Sequence, residues 1–599
     1  MKTYLNFITF KAKTCILSVC FLLFYTSCLD KEYKKIDYQE SLNQLEKLYK
    51  HNLTKAYIFL DSISLKNNHD LNKSYYINSR EYFKRSEPIL SFLEKENFKS
   101  LNAPNIIKVH EEDPTDIKIN QPIGYQVIEE NLFSESMDTM ALTRAINITS
   151  ARLKLIENNS KAILKEYHLL WLIRDALIRI TTTGLSNFDS PVLGQSLTES
   201  GYALNTLKDI LAIYESKFSN KSLYNKWQDE LDSSIILLKT DFDTFDRYKY
   251  IKTHAHKQLE LWNETVKNWQ VEFPFEIALS NDFNSLFSED MFNKLHFSDY
   301  KSDTTKLEQK IILGKKLFKD VNLSKERNMS CATCHIKEKG FTDGKTTFDN
   351  RQKRNTPTLS YATYQQLYFM NARSGSLEGQ IVGVVNNHDE FNMSMDSIIK
   401  RVRKNTKYSF LLDSLYSNER DDFNLRHAIA SYVRTLNPFN SKFDNNINGK
   451  ENTLTKKEKR GFNLFMGKAA CATCHFPPLF NGTIPPNFND TELEIIGVPK
   501  TKENKNLDDD YGRYHLFNVE ERKGSFKTPT IRNIAITNPY MHNGVYNTLE
   551  EVMDFYNEGG GAGLGFDLPH QTLPFDNLNL SESEIESIIA FMKTLTDNY

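Results

Sequence analysis

Two identical pentapeptides, Cys-Ala-Thr-Cys-His, occur at 331–335 and 471–475. The chain has only 7 Cys and 14 His among 599 residues, too few for two chance copies of C-x-x-C-H. In this pattern two thiols can bond to the vinyl groups of a haem, and the adjacent His then lies under the iron as its proximal ligand. The sequence therefore predicts two covalently bound haems c, held by Cys331, Cys334 and His335 and by Cys471, Cys474 and His475.

Zinc binding and redox dithiol chemistry are the alternatives for these two motifs. A structural zinc ion usually takes four protein ligands, with a second ligand pair close to the first. Here the two Cys pairs lie far apart in the sequence, and each has His directly after its second Cys. A redox dithiol has no need of that His, so the pattern favours haem attachment over both alternatives.

The N-terminal segment has the features of an export signal. Three lysines and no acidic residue occur in the first 13 residues, and an uncharged, mostly apolar run follows that is too short to span a membrane. The next residues, YTSC, resemble a bacterial lipoprotein cleavage site. We therefore expect a signal peptide over 1–27 and a lipid on Cys28, with cleavage without lipidation as the alternative. The expected location is the periplasm or cell envelope, anchored by lipid to the outer membrane.

Composition and apolar periodicity predict that residues 28–290 form a helical domain, whose role is unknown. Apolar residues recur there at three- and four-residue spacing, and all four Trp lie in this part of the chain. The formal net charge is −2 with no basic patch, which argues against nucleic-acid binding. Outside the N-terminal segment, no apolar run approaches the length of about 20 residues that a membrane span requires.

Residues 300–599 have short helical patterns separated by long loops. A helical segment, TTKLEQKIILGKKLFKD, precedes the first motif, and TLTKKEKRGFNLFMGKAA precedes the second. This repeat predicts two cytochrome c-like haem domains, over 300–445 and 446–599. The expected fold class is mainly α: an N-terminal helical domain followed by two cytochrome c-like domains.

The same region resembles the bacterial di-haem cytochrome c peroxidases and the related MauG enzymes. The similar motifs are LGKKLFKDVNLS, RNTPTL and FMNARSGSLEGQ around the first pentapeptide, and YGRYHLF, FKTPTIRN and PYMHNGVYNTLEEVMDFYNEGG after the second. The resemblance implies that the first haem reacts with hydrogen peroxide and that the second receives and passes electrons. It also implies an oxidoreductase that converts hydrogen peroxide, two electrons and two protons into two water molecules.

The family alignment implies two catalytic residues on the far side of the first haem. Glu390 matches the family's catalytic glutamate, which moves a proton between the peroxide oxygens. Gln380 matches the distal-pocket glutamine. His388 and Asp389 are local competitors for the acid–base role, and a solvated loop acid is the alternative interpretation of Glu390.

The resemblance also carries expectations for the iron ligands. No His lies between His335 and His388, and the place of the family's distal His falls near Arg351. We therefore expect a first haem that reacts with peroxide without prior reduction, as in MauG. The expected sixth ligand of the second haem iron is Tyr556, as in MauG, with Met553 and Met541 as alternatives.

Two further features concern the space between the haems. A calcium ion is expected at Asn355, Thr537 and Pro539, although these are also common turn residues. Arg532 and His542 are expected at the haem propionates or at the seam between the haems. Met370 stands where the family has Trp, so we expect either weaker electron transfer between the haems or a route through a tyrosine such as Tyr368 or Tyr540.

The expected electron donor is a small exported cytochrome c or cupredoxin, or a quinol-linked partner. A MauG-like oxidase that modifies a protein or organic substrate is the second hypothesis; Tyr556 favours it and Met370 argues against it. The third is a non-enzymatic electron relay, with the N-terminal half as a docking module. Only the enzyme hypotheses require Glu390.

Overall fold

The computed structural model describes residues 38–111, 113, 115–135, 137–299, 304–350 and 352–599. The expected signal peptide and Cys28 lie outside these residues, and so does Arg351. The described chain is built mainly from α-helices, which confirms the predicted class. None of the helices in these ranges is long and apolar enough to cross a membrane.

The N-terminal part consists of successive helices with one small antiparallel strand pair. Its α-helices are α1 Tyr38–Asp61, α2 His69–Leu93, α3 Lys95–Leu101, α4 Tyr125–Phe133, α5 Thr139–Asn159, α6 Glu166–Arg179, α7 Ser196–Ile213, α8 Lys221–Leu237, α9 Arg247–Tyr250 and α10 His256–Asn268. Two π-helical turns, Ile180–Gly184 and Ile251–Ala255, and a 3-10 turn, Glu215–Lys217, interrupt them. The strands are β1 Lys108–His110 and β2 Lys118–Asn120, with Val109 opposite Ile119.

Local capping explains where several of these helices begin. The Asp138 side chain accepts hydrogen bonds from the backbone N–H groups of Met140 and Ala141, and this fixes the start of α5. The apolar pattern over 151–180 reads as one helix in the sequence, but the structure ends α5 at Asn159 and starts α6 at Glu166.

The C-terminal part has shorter helices and longer loops. Its α-helices are α11 Leu307–Phe318, α12 Cys331–Cys334, α13 Leu377–Asn386, α14 Met395–Lys404, α15 Thr406–Leu415, α16 Asp421–Val433, α17 Lys442–Ile447, α18 Lys456–Met466, α19 Tyr514–Phe517, α20 Leu549–Asn557, α21 Gly560–Gly563 and α22 Glu582–Lys593. The 3-10 turns are Glu289–Met291, Lys294–Phe297, Val321–Leu323, Lys337–Lys339, Phe348–Asn350, Ala362–Tyr364, Cys471–Thr473, Glu520–Arg522 and Ile534–Ile536. Strands β3 Leu493–Ile495 and β4 Ser525–Lys527 pair antiparallel.

The helix before each C-x-x-C-H motif packs closely on a later helix through a glycine. Helix α11 packs on α16, and a Cβ added to Gly314 would lie 1.8 Å from the carbonyl oxygen of Ala428. Helix α18 packs on α22, and a Cβ added to Gly461 would lie 1.9 Å from the carbonyl oxygen of Ser587. The same kind of close helix contact at a glycine therefore positions both motifs.

The buried apolar side chains form two clusters. One lies within residues 313–436 and surrounds the first motif. The other joins the N-terminal helices to residues 439–595, which carry the second motif. Phe287 links the two parts, with its ring centroid 5.2 Å from that of Phe443. All four tryptophans are buried in the N-terminal part, as expected for core residues.

Candidate functional site

A single turn of helix and a tight loop position the first motif. The backbone N–H of Ser330 donates to Thr333 Oγ1 at 3.0 Å, and α12 then presents Cys331 and Cys334 on the same turn. Gly340, with φ of +60°, reverses the chain in the left-handed region that favours glycine. The reversal brings the carbonyl oxygen of Phe341 to 2.9 Å from His335 Nδ1.

That hydrogen bond determines which imidazole nitrogen is free. Because a carbonyl oxygen can only accept, His335 Nδ1 carries the proton and Nε2 keeps its lone pair. Burial also lowers the pKa of His335, so the ring is neutral, as a metal ligand must be.

A cavity of about 730 Å³ opens beside this motif. Its wall includes the predicted residues Cys331, Cys334, His335, Asn355, Gln380 and Glu390, and the apolar side chains Phe318, Leu323, Ile381, Val384, Leu425, Ile429 and Val433. The cationic side chains Arg354, Arg373 and Lys527 also reach it. Two thiols, a neutral imidazole, apolar walls and cations suit a flat apolar macrocycle that carries two carboxylates. The residues present therefore fit a haem.

Glu390 is a mostly buried acid in this wall. Burial raises its pKa to about 7, against the opposing effect of the Arg373 guanidinium. Its buried Oε2 atom has no hydrogen-bond partner among the described residues. A carboxyl group with this pKa can both hold and release a proton near neutral pH.

The two competing residues of the same loop have other surroundings. The side chain of His388 is 87% exposed, and its Nδ1 lies 3.2 Å from Asp389 Oδ1. Asp389 borders the cavity but is half exposed. Of the three residues, Glu390 alone combines contact with the cavity and a mostly buried carboxyl.

Gln380 reaches the cavity from helix α13. The helix starts at Ser376, whose hydroxyl accepts a hydrogen bond from the N–H of Gly379 at 3.0 Å. Gln380, Ile381 and Val384 lie on the side of α13 that faces the cavity. The structure thus brings the glutamine and Glu390 into one wall.

The second motif has its own anchoring contacts. His475 Nδ1 lies 3.0 Å from the carbonyl oxygen of Pro529 and 3.2 Å from that of Phe480, so Nε2 is again the free nitrogen. Burial lowers the pKa of His475 to about 4. The ring of Phe188, from the N-terminal part, packs edge-on against Phe476 with centroids 5.7 Å apart.

Tyr556, on helix α20, lies beside the second motif. Burial raises the pKa of its phenol, and the adjacent thiols of Cys474 and Cys471 add to the increase. Met553 is buried in the apolar cluster that contains the second motif, and Met541 packs against the same cluster. The electrostatic effect of the thiols places the phenol of Tyr556 near the second motif.

The three residues expected at calcium share a small region between the two motifs. Asn355 Nδ2 donates to the carbonyl oxygen of Pro539 at 2.8 Å, and the buried Asn355 Oδ1 has no hydrogen-bond partner among the described residues. Thr537 lies against Gly340 of the first motif's loop. Within the described residues, no group of three or more His, Cys, Asp or Glu side chains could hold a metal ion.

Arg532 and His542 have protein partners. Both guanidinium Nη atoms of Arg532 bond to the Asp444 carboxylate at 2.9 Å, and both side chains are fully buried. His542 stacks on Phe526 with centroids 3.8 Å apart.

Met370 and Tyr368 border the first cavity, and the Met370 carbonyl oxygen accepts a hydrogen bond from the N–H of Lys527 at 2.8 Å.

Sequence reasoning missed two residues of the first cavity. Lys527 is a buried lysine whose ammonium donates to Gln365 Oε1, and burial lowers its pKa to about 8. His515 borders the cavity from α19 with about half its side chain exposed. Both residues follow the second motif in the chain, so a search of the residues around the first motif could not find them. A lysine inside the otherwise apolar FKTP segment was the available signal for Lys527.

Comparison with known proteins identifies the relatives. Residues 308–452 match the family model described as di-haem cytochrome c peroxidase. The chain is 33% identical over 296 residues to methylamine utilization protein MauG of Methylorubrum extorquens, covering 48% of this chain and 78% of that protein. It is 31% identical over 289 residues to cytochrome c551 peroxidase of Nitrosomonas europaea, covering 47% and 79%.

Among solved structures, a MauG-like protein associated with microbial copper homeostasis matches with a TM-score of 0.42 and 28% identity. This match covers 48% of this chain and 90% of that one. The sequence matches and the C-x-x-C-H motifs agree on a peroxidase-type oxidoreductase with two c-type haems. The chain belongs to the di-haem cytochrome c peroxidase family.

Proposed function

We propose that the first motif forms the site of hydrogen peroxide reduction and that the second motif forms the site of electron entry. The observation that carries this proposal is Glu390: a mostly buried carboxyl with a pKa of about 7 in the wall of the cavity that His335 also lines. An electron relay would have no use for such a group. The alternative of a non-enzymatic relay is therefore disfavoured.

A haem bound at His335 would supply the redox centre and the open position for peroxide. The ionised carboxylate of Glu390 accepts a proton from one peroxide oxygen and returns it to the other, so that the O–O bond breaks and the second oxygen leaves as water. Two electrons delivered to this site and two further protons then convert the remaining oxygen into the second water. The Gln380 amide can donate a hydrogen bond that orients the peroxide. Apolar side chains such as Val384 and Ile429 line the same cavity.

His335 and His475 are the proposed proximal ligands, with thioethers at Cys331, Cys334, Cys471 and Cys474. Burial raises the pKa of the Cys331 and Cys334 thiols to about 12, so both side chains are protonated before a haem is attached. Tyr556 is the proposed sixth ligand of the second haem, which its position beside Cys474 supports.

We also propose a calcium site, the domain boundaries and the location of the protein. Asn355, Thr537 and Pro539 would hold a calcium ion, which the unpartnered Asn355 Oδ1 supports. The proposed domains are 28–290, 300–445 and 446–599. Cys28 would anchor the protein to the outer membrane in the periplasm, where a small cytochrome c or cupredoxin would deliver electrons.

Replacing Glu390 tests the proposed reaction. Glu390→Gln keeps the shape of the side chain but removes its proton-accepting oxygen, so peroxide turnover by the holoprotein should fall about 10²- to 10⁴-fold. Glu338→Gln, at an exposed acid in the turn that follows the first motif, is the control and should leave turnover unchanged. Undiminished turnover in Glu390→Gln would reject the proposed role.

The position of Tyr556 beside the second motif also favours a second candidate, a MauG-like oxidase. Such an enzyme would consume peroxide with electrons from an organic or protein substrate and not from a small exported cytochrome. Steady-state peroxide consumption with a reduced cytochrome c as the only donor separates the two candidates. Rapid turnover supports the peroxidase, and turnover that needs an added organic reductant supports the oxidase.

A further inference from the structure

Tyr361 lies between the loops that follow the two motifs. On the side of the first motif, Thr358 Oγ1 donates to the carbonyl oxygen of Gly340 at 2.5 Å, next to Phe341, whose carbonyl holds His335. Ala362, the residue after Tyr361, lines the first cavity. The phenol ring itself is fully buried.

On the side of the second motif, Arg532 connects Tyr361 to the His475 loop. Its guanidinium carbon lies 4.5 Å from the centroid of the Tyr361 ring. Its Nε donates to the carbonyl oxygen of Pro478 at 2.9 Å, three residues after His475. Arg532 is also close to Phe480, whose carbonyl oxygen contacts the His475 imidazole. Tyr361 therefore contacts Arg532, which bonds to the His475 loop. In the chain it stands between Ser360, which donates to the Gly340 carbonyl oxygen, and Ala362, which lines the first cavity.

The phenol of Tyr361 has a base within hydrogen-bond distance. Its hydroxyl donates to Asp597 Oδ1 at 3.0 Å, and Asp597 Oδ2 accepts from Asn533 Nδ2 at 2.9 Å. Burial raises the pKa of Asp597 to about 6, so the group is ionised at neutral pH and has an increased proton affinity. Arg532, which pairs with Asp444, also donates from Nη1 to the Tyr361 hydroxyl at 3.2 Å, and its charge lowers the pKa of Asp597 against the larger effect of burial.

Other tyrosines near the first motif have different partners. The hydroxyls of Tyr368 and Tyr540 donate to the backbone carbonyl oxygens of Gln365 and Ile534. Tyr364 accepts from Asn437 Nδ2 at 2.9 Å. No tryptophan occurs between 270 and 599, so tyrosine is the most easily oxidised aromatic residue there. A phenol gives up an electron far more readily when its proton can pass to a base at the same time.

We propose that Tyr361 and Asp597 form a proton-coupled relay that carries electrons between the two sites, an inference that rests on the proposed function. Tyr361 gives one electron to the first site after that site has been oxidised by peroxide. Its O–H bond breaks, and the proton bonds to Asp597. An electron from the second site then reduces the tyrosyl radical, and Asp597 returns the proton. Two passes supply the two electrons that one peroxide molecule consumes.

The test uses the fully loaded, oxidised protein mixed with one equivalent of peroxide and no donor, then frozen within milliseconds for EPR. The wild type should show a tyrosyl radical. Tyr361→Phe should lower that signal at least tenfold, and Asp597→Asn should lower it as well, because its amide cannot accept the proton. Tyr364→Phe is the matched control, a buried phenol three residues away, and should keep the full signal.

The outcomes separate the relay from the proposed function. A wild type whose haem absorbance does not respond to peroxide would reject the proposed function. A protein that reacts with peroxide but shows no tyrosyl radical, or keeps the radical in Tyr361→Phe, would overturn the relay alone. Asp597→Asn keeps the hydrogen-bonding shape of the carboxyl, so it decides the question if Tyr361→Phe does not fold.

Discussion

At the first motif, His335 faces a cavity of about 730 Å³ that a mostly buried carboxyl, Glu390, also borders. At the second motif, a phenol, Tyr556, lies beside the thiols, and Phe188 from the N-terminal part packs on the residue after His475. The two pentapeptides are identical, and in both cases a backbone carbonyl oxygen accepts a hydrogen bond from Nδ1 of the histidine. The surroundings, rather than the pentapeptides, therefore distinguish the two sites: an acid with a raised pKa borders the first, and a phenol lies near the second.

The pH dependence of the reaction with peroxide is the strongest test of this difference between the two sites. Because the Glu390 pKa is raised to about 7, the active carboxylate is lost as the pH falls through that value. The rate of reaction with peroxide should therefore drop about tenfold per pH unit below 7 and level off above it. Stopped-flow mixing of holoprotein with peroxide between pH 5 and 9 measures this.

The Glu390→Gln variant is the control for that profile, since its slower reaction should lose the step near pH 7. If the rate in the variant still changed near pH 7, another group would be responsible for the titration, and Glu390 would not be the proton acceptor of the first site.

The glycines of the two entry helices offer a paired test of packing. Gly314→Ala and Gly461→Ala would each force a Cβ against a backbone oxygen, at 1.8 and 1.9 Å. We expect each to lower the free energy of unfolding by about 1–3 kcal/mol. Gly201→Ala, in a helix where an added Cβ meets nothing within 4 Å, should instead stabilise by about 1 kcal/mol.

Chemical denaturation of the three variants measures these changes. Gly314→Ala should act on the cluster around the first motif, and Gly461→Ala on the cluster shared with the N-terminal helices. Two alanine variants as stable as the wild type would mean that the helix contacts are looser than described.

The aromatic contact of Phe188 gives the smallest expected effect. Phe188→Ala removes an edge-on ring pair with Phe476, worth about 0.5–1.5 kcal/mol of unfolding free energy beyond the area buried. The reduction potential of the second haem should also change because the variant lets water approach His475, while that of the first should not. Spectroelectrochemical titration measures both potentials, and equal shifts at the two haems would show that this contact is not specific to the second site.

The sequence predicts what depends on local pattern. The C-x-x-C-H motifs, the helices before them and the loop that carries Glu390 are all readable from adjacent residues. The partners of Arg532 are not, because Asp444 lies 88 residues away and only the fold brings the two together. His515 and Lys527 were missed at the first cavity for the same reason. The break between α5 and α6 was also missed, since apolar spacing alone continues across it.

Since the N-terminal helices share one apolar core with residues 439–595, neither part can bury its apolar face without the other. The helices are made first by the ribosome, and their partner is made last, after the whole of the first haem region. Contacts between residues that are so far apart in the chain form slowly during folding. The N-terminal helices therefore keep part of their apolar surface uncovered until residues 439–595 have been synthesised.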